Sequence, residues 1–238
     1  MSLYLCIDDT DEIGSKGTGE LAQELIDATH QQGLGHCSGI TRHQLYVHPD
    51  IPYTSHNSAM CFEVAIPPQR IGTLLALAQQ FLLRHSAPGS DPGLCLAPKA
   101  RLDERILTFG QSAKRRVLTK ADAYRLAFEL GLHLSEHGGT GDGVIGALAG
   151  VGLRHGGNDG RCKGQLAVPA QRMSVAELSA LPGVDQVRTI DGEPLAPDTP
   201  IRLTGKVKTV WLNHANTLLV VPQGNDWINA QAAQLKAY

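Results

Sequence analysis

Residues Leu3-Tyr4-Leu5-Cys6-Ile7 form an unbroken apolar run that stops abruptly in Asp8-Asp9-Thr10-Asp11. A short run without alternation predicts a strand buried on both faces. Such a strand sits inside an α/β architecture. In an α/β sheet ligands bind beyond the carboxyl ends of the strands, which is where these aspartates fall. Three clustered carboxylates repel one another unless a cation neutralises them. Hard oxygen donors suit Mg²⁺, commonly held by one or two carboxylates plus substrate phosphates. The alternative is an Asx-turn with solvated acids.

Downstream, a loop bearing Gly14, Gly17 and Gly19 leads into a helix of about 14 residues with Leu21, Leu25 and Ala28 on one face. Strands are predicted at 39–47 and 59–66, and a helix on Ile71, Leu74, Leu75, Ala78, Phe81 and Leu82. A short strand falls at Leu94-Cys95-Leu96, and 99–116 reads as a helix with a basic face. Thr119-x-x-Asp122 resembles a capping box for a helix carrying Ala123, Leu126, Ala127, Leu130 and Leu134. A second apolar helix, Val144–Leu153, follows Gly138–Gly143. The composition changes at 155–160, which places a boundary between a domain at 1–157 and a small β-rich α+β domain at 158–238. In the latter, a short helix opens at Ser174, strands fall at 187–190, 201–203, 207–212 and 217–221, and a last helix spans Trp227–Lys236.

The segment Gly138-Gly139-Thr140-Gly141-Asp142-Gly143 puts four glycines in six residues before an apolar helix. Free N–H groups and the dipole at a helix start favour phosphate, and glycines allow close backbone approach. No Lys-Ser/Thr follows, so this is not a Walker A loop. Asp142 would repel phosphate or help hold a cation, and a plain helix connection is the alternative. The polar loop 49–57 offers Tyr53, Thr54, His56 and Asn57 for substrate contact, or is simply surface.

The charge balance is 21 basic against 23 acidic residues, net −2, unlike a wholesale nucleic-acid binder. That average hides a split. Residues 1–60 hold 2 basic and 8 acidic residues, net −6, while 61–160 and 161–238 are each net +2. Lys99, Arg101, Arg105, Lys114, Arg115, Arg116 and Lys120 form a basic cluster that could touch RNA or a triphosphate, or be a solvated helix face. Five scattered cysteines without CxxC argue against a zinc ribbon or disulfide framework and for reduced, mostly buried thiols. No leader and no apolar run near 20 residues is present, so the expectation is a cytoplasmic protein with no membrane partner.

Taken together, Ile7-Asp8-Asp9-Thr10-Asp11 with Thr18, Pro49-x-Ile51-Pro52-Tyr53-x-x-x-Asn57-x-Ala59, Asp91-Pro92-Gly93 and Gly141-x-Gly143-Val144-Ile145-Gly146-Ala147-Leu148-Ala149 resemble the catalytic domain of the archaeal tRNA 2-agmatinylcytidine synthetases (TiaS). Order and spacing agree over roughly residues 3–153. The resemblance implies a kinase-like α/β domain that binds ATP and Mg²⁺, phosphorylates C2 of a tRNA cytidine and lets agmatine displace the phosphate. It implies metal and phosphate binding at Asp8, Asp9 and Asp11, with Thr10 and Asn57 beside the nucleotide. Thr18 matches a threonine that the family phosphorylates on itself, and Gly141 and Gly143 match a phosphate-facing loop. The chain departs from the family at Asp142, where a basic residue is expected, and at Gly19, where a second threonine is expected. It has no zinc ribbon, and 160–238 is too short for the family's full RNA-binding set.

The first expectation is therefore an ATP- and Mg²⁺-dependent phosphotransferase or ligase-like enzyme acting on a small molecule or nucleoside. The alternatives are a tRNA cytidine-modifying enzyme working with a partner, and a non-enzymatic nucleotide-binding regulator.

Overall fold

The apolar run becomes β1 (Ser2–Asp8), the central strand of a sheet covered on both faces, in a computed structural model that describes residues 1–51 and 56–238. The chain separates into two compact units, Met1–Gly156 and Gly157–Tyr238. After β1, the first unit runs α1 (Thr18–Gln31), β2 (His36–Cys37), β3 (Thr41–Gln44), β4 (Ser58–Ala65), α2 (Ile71–His85), β5 (Gly93–Pro98), α3 (Glu104–Ala113), α4 (Lys120–Leu130), β6 (His133–Glu136) and α5 (Gly143–Gly156). Strand order is β6-β5-β1-β4-β3, with β2 also on β4, and every pairing is antiparallel.

Antiparallel sheets usually leave one face wet; here the alternation of β1 feeds two cores. Leu3, Leu5 and Ile7 pack with Leu21, Leu25, Leu74 and Leu82 of α1 and α2. Tyr4 and Cys6 pack with Ile106, Ala127 and Leu148 of α3, α4 and α5. Period-2 strands and 3.6-period helices thus explain why the run is apolar throughout. Cys6 pairs in register with Cys61 on one side and Cys95 on the other, and all three are buried thiols; Cys37 and Cys162 are partly exposed, and none of the five forms a disulfide.

Helix α5 lies close on the sheet. A Cβ at Gly150 would reach the Cys6 sulfur at 2.5 Å and the Ala59 Cβ at 3.0 Å. At its far end the buried Arg154 donates to Thr41 Oγ1 at 2.7 Å and Ser38 Oγ at 2.9 Å, which ties the helix to the β3 side of the sheet.

Three expected elements of this unit differ. The helix expected to reach Leu134 ends at Leu130, because Gly131 adopts φ +64° and closes it; Leu132 N–H then returns to the Ala127 carbonyl and β6 begins. Residues 99–116 break into a 3-10 turn at Lys99–Arg101 and α3, separated by Asp103, whose side chain caps the Arg105 N–H. The predicted strand 39–47 is ordered as β3 over only Thr41–Gln44.

The second unit holds β7 (Arg161–Cys162), β8 (Arg172–Ser174), α6 (Val175–Ser179), β9 (Gln186–Thr189), β10 (Pro200–Arg202), β11 (Val210–Leu212), β12 (Ala215–Gln223) and β13 (Asp226–Asn229). Its order is β7-β11-β12-β13-β10-β8, with β9 parallel to β12. The β11–β12 hairpin turns on Asn213 and His214, at φ 52° and 57°, the positive pair a two-residue turn needs. The helix expected over Trp227–Lys236 is instead β13 followed by a 3-10 turn at Gln234–Ala237, since Trp227 and Ile228 fill a ladder against β12. No helix among the described residues is long and apolar enough to cross a membrane.

Candidate active site

Just beyond the end of β1, Asp9 holds φ +50°, a left-handed conformation few non-glycine residues adopt. That turn separates Asp8 from Asp11, and both, with Asp9, line one cavity of about 110 Å³ in the first unit. Thr18, at the start of α1, Asn57, just before β4, and Gly143, at the start of α5, line it as well. Six of the eight residues singled out from sequence therefore converge.

The other two do not reach it. Thr10 is fully buried; its N–H faces Thr18 Oγ1 at 3.4 Å, its carbonyl accepts from Ala87, and its hydroxyl has no hydrogen-bond partner among the described residues. Gly141 is a buried turn residue at φ +78°, where a side chain would overlap Glu136. Tyr53 and Thr54 lie outside the described residues, while His56 lines the cavity.

Asp91 was legible only as part of a motif, yet it builds the site. Its carboxylate accepts from both the N–H and the hydroxyl of Thr140, the latter at 2.9 Å, and its carbonyl accepts from Gly143 N at 3.2 Å. Val144 N and Ile145 N bond the Gly141 and Asp142 carbonyls. The first three N–H groups of α5 thus have protein acceptors, so the glycines here serve close packing more than an open phosphate cradle. A Cβ at Gly146 would overlap the Asp8 carboxylate, and one at Gly143 would overlap the Asp91 carbonyl.

The electrostatics follow from burial. Asp8 is 6% exposed; desolvation, then the Asp9 charge, hold its carboxyl well above the usual range, against one backbone hydrogen bond that lowers it. Asp9 is pushed up to about 6, first by burial and then by Asp91, Asp11 and Asp142. Both groups gain by meeting a cation. Among the described residues no three His, Cys, Asp or Glu side chains already stand as a metal cage. Mg²⁺ commonly uses one or two carboxylates and completes its shell with water and phosphate, so hard oxygens under mutual repulsion fit it. Thr18 Oγ1 donates to Asp11 Oδ1 at 2.7 Å, and Asn57 Nδ2 donates to the Tyr46 carbonyl at 2.7 Å, so both side chains are held in place.

The basic cluster expected from Lys99 to Lys120 is divided. Lys99 pairs with Glu63 at 3.1 Å, Arg105 with Asp103 at 2.8 Å and Glu129 at 3.1 Å, and Lys120 with Glu136 at 3.4 Å. Arg116 instead lines the cavity.

Apo TiaS, a tRNA agmatidine synthetase, superposes with a TM-score of 0.55 at 25% identity, over 64% of this chain and 35% of that one. The fold is TiaS-like. The complex of TiaS with its tRNA and ATP gives 0.56 at 22% identity, over 73% and 42%. The complex with tRNA, AMPCPP and agmatine gives 0.55 at 23%, over 74% and 43%. The match spans less than half the length of each of these TiaS structures. No family model and no curated protein matches the chain.

Proposed function

We propose that this chain uses ATP to modify a cytidine of tRNA, as an enzyme of the agmatinylcytidine synthetase kind. The observation that carries the reading is the convergence of the acidic strand end and the start of α5 on one cavity, within a fold shared with a structure that holds tRNA and ATP. A small-molecule or nucleoside phosphoryl acceptor, the first expectation from sequence, is less well supported than tRNA, which two of the similar structures contain.

Asp8, Asp9 and Asp11 would hold Mg²⁺. Bound ATP would supply the phosphoryl group and the metal the charge neutralisation that such transfer needs. The chain's own work is positioning. Gly146 lets α5 close on Asp8, Asp91 anchors the loop before α5, and Thr18 orients Asp11. Residues 157–238 or a partner chain would present the RNA.

The test measures ATP turnover, as AMP or ADP release, with and without total tRNA and agmatine, alongside the mass of the digested nucleosides. The reading expects tRNA-dependent turnover that needs Mg²⁺ and disappears in Asp9→Ala. Nucleotide binding without turnover under any acceptor would favour the non-enzymatic regulator instead.

A further inference from the structure

The cavity collects six carboxylates, Asp8, Asp9, Asp11, Asp50, Asp91 and Asp142, and among the described lining residues one guanidinium, that of Arg116. Arg116 follows α3, its backbone N–H fixed on the Ser112 carbonyl at 3.0 Å, and its side chain is exposed. Two other arginines of the first unit are committed: Arg105 to Asp103 and Glu129, Arg125 to Asp122 at 2.6 Å. Arg116 has no side-chain hydrogen bond or ion pair among the described residues, although carboxylates share its cavity.

A guanidinium offers five N–H donors in a planar fork that matches a phosphate bidentately. A phosphate ligand entering this cavity meets six carboxyl groups, and a divalent cation on the strand end offsets only part of the repulsion from those that are ionised. We propose that Arg116 is the phosphate anchor of this site, a binding residue that takes the oxygens of a phosphate lying outside the metal-held end. This rests on reading the cavity as an ATP and tRNA site. The phosphate belongs either to the nucleotide or to the RNA backbone, and the experiment separates these sources.

Wild type, Arg116→Ala, Arg116→Lys and, as a control on the exposed side of α2, Arg84→Ala are titrated with ATP in excess Mg²⁺ by calorimetry. The same proteins are titrated with total tRNA by filter binding over a salt series. Arg116→Ala is expected to weaken one ligand about 10- to 100-fold, the range for a hydrogen bond to a charged group. Arg116→Lys, which keeps the charge and loses the fork, should weaken it less. Arg84→Ala should change neither. A loss confined to ATP assigns a nucleotide phosphate. A loss confined to tRNA, with a log–log salt slope shallower by about 1, assigns an RNA phosphate. Undiminished binding of both ligands by Arg116→Ala overturns this inference alone. A wild type that binds neither overturns it together with the function on which it rests.

Discussion

The carboxylate of Asp8 occupies the space that a Cβ at residue 146 would need. Leu45 Cδ1 stands 3.0 Å from that same point, and Asp8 is too buried to swing into water. Gly146→Ala should therefore cost about 1–3 kcal/mol, the usual penalty of overpacking. It should also weaken Mg²⁺-dependent ATP binding, because the first carboxylate of the site must move. Gly72→Ala in α2, where a Cβ meets nothing within 4 Å, should be neutral or stabilising by about 0.5–1 kcal/mol. Urea titration of the two variants decides it; a Gly146→Ala protein as stable as wild type refutes the close-packing account.

Asp9 makes the metal-free protein sensitive to pH. Its folded carboxyl titrates near 6 against 3.8 when exposed, so between those values the folded state binds more protons. The stability this confers is complete below 3.8 and is lost as pH rises through 6. Asp8, raised in the same direction, acts with the same sign. His133 and His137, lowered mainly by burial, act oppositely as pH falls below 6.5. The clean measurement is the difference between wild type and Asp9→Asn, since Asn tolerates the left-handed backbone at this position. Relative to wild type, the variant should gain about 1 kcal/mol on going from pH 5 to pH 7.5. A difference flat across that range would contradict the raised carboxyl.

Local signals in the sequence carried the acidic end of β1 and the helices α1, α2 and α5. An apolar run without period and apolar residues at a 3.6 spacing are properties of neighbouring residues. Strand β6 was hidden because Leu134 extends the helical spacing of Ala127 and Leu130. The contrary signals were Gly131 and the polar alternation of His133, Ser135 and His137, now on one side of an edge strand. The site divides the same way. Asp8, Asp11 and Thr18 lie close together along the chain, from the end of β1 to the start of α1, and were legible together. Asp91 and Arg116 join them only because β5 pairs with β1 and α3 ends beside the cavity, which no local pattern records. Thr10 and Gly141 do not line the cavity although Asp9, Asp11 and Asp142 do: the Thr10 side chain is turned into the interior, and Gly141 has none to offer.

Asp91 should control both the order of the loop and the charge of Asp9. Its carboxylate holds Thr140 through two hydrogen bonds, and its charge is the largest neighbouring contribution to the raised Asp9 carboxyl. In Asp91→Ala, hydrogen exchange across 138–143 should accelerate and stability fall by about 1–3 kcal/mol. Carboxyl NMR should show Asp9 titrating below its wild-type value. Thr140→Ala, which keeps the N–H donor, should loosen the loop less and leave the Asp9 titration close to wild type. If Asp9 titrates unchanged in Asp91→Ala, the two carboxylates do not interact as their shared cavity requires.

Thr18 can be tested as both a positioning group and a phosphoryl acceptor. Its hydroxyl donates to Asp11 at 2.7 Å, so a carboxylate already sits where the proton would go if that oxygen attacked a phosphoryl group. Thr18→Val removes the hydroxyl at nearly constant volume, leaving Asp11 without this donor; Thr18→Ser retains it. ATP affinity in Mg²⁺ should fall about 5- to 10-fold in Thr18→Val, in line with the roughly 1 kcal/mol of a side-chain hydrogen bond, and recover in Thr18→Ser. After incubation with ATP and Mg²⁺, intact mass should show one added phosphoryl group on wild type and Thr18→Ser and none on Thr18→Val. Affinity that falls without any phosphorylation of the wild type would leave Thr18 as the orienting partner of Asp11 and remove it as an acceptor; phosphorylation that persists in Thr18→Val would place the acceptor elsewhere in the chain.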